Sequence, residues 1–133
     1  MKSRLTIVIP TFNRLNYLKK LLKFLAQEEN INNEKINLIV LNNCSTDGTK
    51  DYLNELSPKK AHWKFINNES NIGTDRNMVK GIKNVKTKYC WIIGDDDLPL
   101  PGTISSINKL IKEENIGLIS VSYTHLRAHE TAV

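Results

Sequence analysis

The sequence predicts an α/β fold, a mostly parallel sheet with helices on both faces. Three observations carry that expectation. Short β-branched runs alternate with longer amphipathic stretches along the 133 residues, and such alternation requires crossover connections, hence parallel strands. Runs such as "RLTIVI" and "INLIVL" are apolar enough to be buried strands. Polar, turn-rich segments follow the first, second and fourth of these runs, at the carboxyl ends where sheets of this kind bind ligands.

In chain order, "RLTIVI" (4–9) reads as a strand closed by Pro10. The next stretch, "RLNYLKKLLKFLAQEEN", sets Leu15, Leu18, Leu22 and Leu25 on one helical face and Lys19, Lys20 and Lys23 on the other. Docking on the sheet explains such a face, and so does contact with an anionic membrane surface. "INLIVL" (36–41) is the second strand; after "NNCSTDGT" a helix runs from about Lys50 to Glu55, with Asp47 or Thr49 as its cap. "WKFINN" reads as the third strand, "TDRNMVKGIKNV" as a helix and "YCWIIG" as the fourth strand. "GTISSINKLIKEEN" then reads as a helix and "IGLISVS" as a fifth strand.

At 40% hydrophobic content the chain suits one compact domain with a core, over residues 1–121. The tail, 122–133, drops the Asn, Lys and Ile bias and resembles translated adaptor sequence, so it reads as unrelated to the domain, artefactual or disordered. His125 and His129 have the spacing of a helical zinc pair, but no third ligand is near them in sequence, and no zinc site is expected.

A formal charge of +5 suits an anionic partner, yet 14 acidic residues are interspersed with 19 basic ones. A phosphate-bearing small molecule fits; nucleic acid is not expected, because no basic run carries interleaved aromatics. Cys44 and Cys90 lack any CxxC spacing and read as free thiols in a reducing compartment. The first apolar run is too short for a signal peptide core or a membrane span. The expected location is cytoplasmic, with a membrane-associated parent enzyme also compatible.

"GDDD" raises the chemical question. Two carboxylates about 4 Å apart repel by about 1 kcal/mol in water and about 4 kcal/mol at the effective dielectric of a protein surface. A cation, protonation or open solvent must compensate. A hard divalent cation would use Asp95, Asp96 and Asp97 as oxygen ligands and keep positions open for phosphate oxygens. A solvated turn before a helix near Pro101 accounts for them equally.

The other loops are similarly two-sided. "NNCSTDGT" can hold a base and ribose through Asn42 and the Asp47–Gly48 turn, or be ordinary turn and cap chemistry. "PTFNR" offers Thr11, Asn13 and Arg14 at a helix start, where an anion is favoured, or a simple cap. In "NIGTDRNMVKGI", Gly73 permits close backbone approach, while Arg76 and Lys80 form a basic face. No G-x-G-x-x-G follows the first strand and no G-K-[ST] occurs, so a bound phosphate would be held another way. Divalent metal bridging is the alternative.

Taken in order, "VIPTFNR", "IVLNNCSTDGT", "NIGTDRN" and "WIIGDDD" resemble the amino-terminal, donor-binding half of a family 2 glycosyltransferase, across residues 4–121. The resemblance implies a Rossmann-like GT-A fold, a nucleotide-diphospho-sugar donor, often a UDP-sugar, and Mg²⁺ or Mn²⁺ held through a DxD-type motif. Position by position, Pro10, Thr11, Asn13 and Arg14 match the first donor loop, and Asp47 matches the aspartate of the S-x-D-G-T turn. Gly73, Arg76 and Asn77 match a segment near the donor. Asp95 would lie towards the ribose, with Asp96 as first choice for the metal and Asp97 able to share it.

Two departures stand out. Asn42 replaces an aspartate that usually contacts the base, and Gly94 replaces the first aspartate of a D-x-D-D run. The family's general base, which lets a saccharide or lipid-linked acceptor attack with inversion in polysaccharide biosynthesis, belongs to a carboxyl-terminal half. The chain is therefore expected to bind donor with little or no turnover, and a free sheet edge would invite self-association.

Overall fold

The computed structural model describes residues 4–113 and 123–125. Strand β1 spans Leu5–Thr11, helix α1 Leu15–Asn32, β2 Asn37–Asn42, α2 Thr49–Leu56, β3 Trp63–Asn67 and α3 Thr74–Lys83. Strand β4 spans Tyr89–Ile92, β5 Asp97–Pro99, α4 Thr103–Glu113 and β6 Tyr123–His125. The expected helices and the first four strands are all present. The fifth strand expected at 116–122 lies outside the described residues, as does His129.

The main sheet has the order β3-β2-β1-β4, and every pairing in it is parallel. Strand order therefore runs outward from β1 in both directions, which makes the β1/β4 boundary a topological switch point and opens a crevice at the carboxyl ends of those strands. A second, two-stranded sheet pairs β5 with β6 antiparallel, Asp97 opposite His125 and Pro99 opposite Tyr123. Thus residues 123–125, which the sequence reading sets apart from the domain, take part in backbone pairing; nothing in their local pattern announces it, because the partner is far along the chain.

Side chains of the sheet alternate between two helical layers. Ile7 and Ile9 of β1 with Leu38 and Val40 of β2 pack against Leu18, Leu21, Leu22 and Leu25 of α1, Leu53 of α2, and Ile104, Ile107 and Ile111 of α4. Of the leucine face expected of α1, Leu18, Leu22 and Leu25 are buried against the sheet, joined by Leu21, while Leu15 is half-buried. On the opposite side, Val8, Ile39 and Leu41 form a smaller cluster facing α3, the element that touches β1 and β2 there.

Gly81 sets how closely α3 can lie. A Cβ built on it would come 2.6 Å from Cγ1 of Val8 and 2.8 Å from Cδ2 of Leu41, inside any tolerable contact between fully buried side chains. Glycine costs a helix about 1 kcal/mol relative to alanine, so its presence here reflects packing. Gly81→Ala is expected to lower stability by about 1–3 kcal/mol net of the helix gain, read as a lower midpoint in urea unfolding.

At the opposite end of the sheet from the crevice, Glu29 is buried near the end of α1. Its carboxylate accepts from the Ile36 backbone N–H at 2.7 Å and from Lys60 Nζ at 2.9 Å, and pairs with His62 Nε2 at 2.5 Å. It thereby ties α1 to the entries of β2 and β3. Burial alone would raise its pKa; the bonds from Ile36, Lys60 and His62 outweigh burial and hold it below the ordinary value. A depressed carboxylate stabilises the fold above its unfolded pKa and loses that contribution as pH falls through the folded one. Glu29→Gln should therefore lower Tm at pH 7, and the gap to wild type should close in thermal melts taken stepwise below about pH 4.

Candidate functional site

The crevice is built from the loops that the sequence places at the ends of β1, β2 and β4, and the structure brings them together. Thr11, the last residue of β1, is buried and donates its hydroxyl hydrogen bond to Oδ2 of Asp95 at 2.8 Å. Arg14, at the start of α1, reaches the same carboxylates: Nη1 donates to Oδ2 of Asp96 at 3.0 Å, and Nε lies 3.9 Å from Oδ1 of Asp95. These contacts bridge β1 and the segment after β4 directly across the switch point.

Asp95 and Asp96 are 7% and 8% exposed, so the compensation demanded by the "GDDD" run is not supplied by open solvent. Burial, reinforced by the neighbouring Asp96 charge, raises the Asp95 pKa above its ordinary value against the opposing pull of Thr11 and Arg14. Asp97 continues into β5. The space beside Gly94 is walled by the carboxylates of Asp96 and Asp97: a Cβ there would lie 2.9 Å from Oδ2 of Asp97 and 3.3 Å from Oδ1 of Asp96. Oxygen atoms from two aspartates thus turn towards the place where a side chain at position 94 would stand.

Among the described residues, no group of three His, Cys, Asp or Glu side chains is gathered tightly enough to hold a metal by itself. The donor set is nonetheless of the right kind for a hard cation, which accepts two protein carboxylates and completes its shell with phosphate oxygens and water. Oxygens of Asp96 and Asp97 lie beside Gly94, while Thr11 bonds Asp95 and Arg14 contacts both Asp95 and Asp96.

The loop after β2 is anchored to the start of α1. Asn13, with φ of 50°, accepts from the Thr46 N–H at 2.7 Å through Oδ1 and donates its own N–H to Ser45 Oγ. Asp47 accepts from the Leu15 N–H with one oxygen and from the Thr49 N–H and hydroxyl with the other. One carboxylate therefore serves the first turns of both α1 and α2. Burial works against its ionisation, but the bonds from Thr49 and Leu15 together outweigh it and hold its pKa below the ordinary value. The position capping α2 is Gly48, at φ of 91°, rather than Asp47 or Thr49 themselves.

Beneath this surface lies a buried array of asparagines that sequence reasoning did not connect. Asn42 donates to Asn67 Oδ1 at 2.8 Å and accepts from the Ser45 N–H. Asn68 donates to Asn43 and Asn77, Asn43 to Asn71, and Asn77 to the Leu41 carbonyl. Lys80 Nζ closes the array on Asn68 Oδ1 at 2.7 Å. Asn42 and Asn77 thus have both ends of their amides occupied within the protein, and they position the loops from below. The available signal was the repeated Asn pair closing two strands, Asn42–Asn43 and Asn67–Asn68, which parallel register sets side by side.

Gly73, the residue before α3, has φ of 87° and open space where a Cβ would point; backbone conformation, not crowding, requires glycine. Arg76 is exposed and lines a groove along α3 with Asp75, Val79, Lys80, Lys83 and Asn84. Pro10 is half-buried in β1 and pairs with Leu41.

An open parallel sheet with carboxylates and an arginine at its switch point is an α/β architecture of the kind that binds ligands at the carboxyl ends of its strands. Residues 6–130 match the sequence profile described as Glycosyl transferase family 2, and the chain belongs to that family. It is 34% identical over 95 residues to the abequosyltransferase RfbV of Salmonella typhimurium, an alignment covering 70% of this chain and 28% of RfbV. It is 27% identical over 111 residues to a GalNAc(5)-diNAcBac-PP-undecaprenol beta-1,3-glucosyltransferase of Campylobacter jejuni, covering 83% of this chain and 35% of that one. The chain therefore spans about a third of the length of these relatives.

Among solved structures, S. aureus TarS 1-349 in complex with UDP-GlcNAc superposes with a TM-score of 0.69 at 23% identity, over 85% of this chain and 32% of TarS 1-349. The mannosyltransferase PcManGT of Pyrobaculum calidifontis, in complex with GDP-Man and Mn²⁺, superposes with a TM-score of 0.71 at 18% identity, over 88% and 34%. The fold is that of the GT-A glycosyltransferases. Among the described residues, no helix is long and apolar enough to cross a membrane.

The asparagine array makes a local prediction. Asn68→Ala removes hydrogen bonds to Asn43, Asn77 and Lys80 at once, leaving buried polar groups unsatisfied. A loss of about 1–3 kcal/mol is expected in chemical unfolding, whereas substitution of the exposed Asn54 should change stability little.

Proposed function

We propose that this chain binds a nucleotide-diphospho-sugar, with UDP as the nucleotide, for transfer of the sugar to a hydroxyl of a saccharide or lipid-linked acceptor. One observation carries the reading: Thr11 and Arg14 converge on Asp95 and Asp96 at the switch point of a parallel sheet. Family membership and the complexes of the two solved neighbours with UDP-GlcNAc and with GDP-Man and Mn²⁺ support it.

Each loop has a part. The segments Pro10–Arg14, Asn42–Asp47 and Gly73–Asn77 frame the nucleoside, with Asn42 and Asn77 holding their backbones from below and Arg76 at the outer margin. Asp95 lies on the ribose side, beside Thr11. Asp96 and Asp97 would hold Mg²⁺ or Mn²⁺, which when bound neutralises the diphosphate and so eases its departure. Arg14 presents a cation to the same anionic group, and the N-terminus of α1 adds its partial positive charge.

In the proposed reaction the acceptor hydroxyl attacks the anomeric carbon with inversion, and a general base takes its proton. None of the residues described above is assigned that role. A second reading is that the chain recognises donor without turning it over alone. Both readings place it in the cytoplasm, where nucleotide sugars act as donors, without a nucleic-acid partner.

Calorimetric titration with UDP, with and without Mn²⁺, tests the site. Binding is expected only with the metal. Asp96→Ala should weaken it at least about tenfold while leaving the ligand-free Tm close to wild type, because the substitution removes a repulsion along with an ion pair. Equal UDP affinity in the presence and absence of Mn²⁺ would remove the aspartates from the function.

A further inference from the structure

We propose that the outward face of α3 docks on an anionic lipid surface, with Val79 and Ile82 entering the headgroup layer and Arg76, Lys80 and Lys83 meeting the lipid phosphates. The inference stands apart from the donor reading, because it concerns a face outside the crevice and uses neither the aspartates nor a metal.

The helix has two distinct sides. Asn77 and Gly81 are its buried residues, and the close approach of Gly81 to Val8 and Leu41 fixes which side meets the sheet. Away from that side stand Val79 and Ile82, 45% and 42% exposed. Arg76, Lys80 and Lys83 follow one another at spacings of four and three residues, so a row of cations runs along the helix beside the two aliphatic groups. Single exposed aliphatics are ordinary. Two on one helical face bordered by three cations form the pattern of a helix that lies in a membrane interface.

The cations are turned outward. Arg76 and Lys83 are exposed, and neither is held in an ion pair among the described residues. Lys80 reaches only the uncharged Oδ1 of Asn68, and Lys64, which donates to Asn84 Oδ1, adds a further cation beside the end of the helix. Of the residues lining the groove along α3, Asp75 alone is acidic. The groove encloses about 420 Å³, room for a phosphate headgroup among the cations.

Charge selects the occupant. A second copy meeting this face through the same patch would set cation against cation, and an acidic peptide would neutralise the cations while leaving Val79 and Ile82 in water. An anionic bilayer satisfies both: each cation near its surface adds about a fivefold gain in binding, and the aliphatic groups add theirs by leaving water. Helix α3 also begins at the Gly73 loop beside the crevice. A membrane under α3 therefore lies next to the crevice mouth, a placement that suits a lipid-linked acceptor without depending on one.

The test is sedimentation of the 133-residue chain with lipid vesicles. Wild type should bind vesicles of phosphatidylglycerol mixed equally with phosphatidylcholine, bind pure phosphatidylcholine at least about tenfold more weakly, and be released as salt approaches about 0.5 M. Lys83→Glu should weaken binding roughly tenfold or more, and Val79→Ser with Ile82→Ser roughly threefold or more. Lys20→Glu with Lys23→Glu, on exposed positions of α1 across the sheet, lowers the net charge twice as far yet should weaken binding less than Lys83→Glu. In bicelles of the same mixture carrying a nitroxide-labelled lipid, the wild-type amide signals of Val79, Ile82 and Lys83 should broaden while those of Lys20 and Lys23 persist, a readout independent of any variant's folding.

The proposal is overturned by wild type that ignores anionic vesicles at low salt, or by an α1 pair that costs as much as Lys83→Glu. Unchanged binding after Val79→Ser with Ile82→Ser, or broadening centred outside α3, overturns it equally. UDP titration of wild type reports on the donor reading separately.

Discussion

Everything at the crevice follows from burying adjacent aspartates at the end of β4. Carboxylates held within a protein surface repel more strongly than in water, and Asp95 and Asp96 are too enclosed for solvent to relieve them. The compensation comes from the end of β1 and the start of α1, through Thr11 and Arg14. Because β1 is the central strand from which the sheet grows both ways, this one electrostatic need fixes the geometry of the switch point.

The same economy runs through the polar loops. Asp47 satisfies backbone groups in the first turns of two helices, and Asn13 holds a left-handed backbone by gripping Ser45 and Thr46. Buried amides replace charge beneath them. An asparagine both donates and accepts, so Asn68 bonds Asn43 and Asn77, Asn42 bonds Asn67, and Lys80 joins at the margin. A carboxylate at position 42 could accept from the Ser45 N–H but could not donate to Asn67, so Asn42 preserves the hydrogen-bonded frame.

Rigidity is placed away from the crevice. Gly81 lets α3 settle directly on Val8 and Leu41, and the Glu29 cluster locks the far end of the sheet.

The sequence by itself determined the alternation of strands and helices, the burial of the α1 leucines, and the placing of "PTFNR", "NNCSTDGT" and "GDDD" on one edge of the sheet, because these depend on local periodicity and on the direction of parallel strands. Thr11, Arg14, Asp95 and Asp96 were legible as candidates one by one. Tertiary structure alone decided that Arg14 supplies the counter-charge, that paired asparagines from two strands form one array, that Glu29 is a buried tie, and that residues 123–125 pair with β5. Each of those joins residues more than twenty positions apart, or depends on burial that no local window contains, and only the folded register brings the partners within bonding distance.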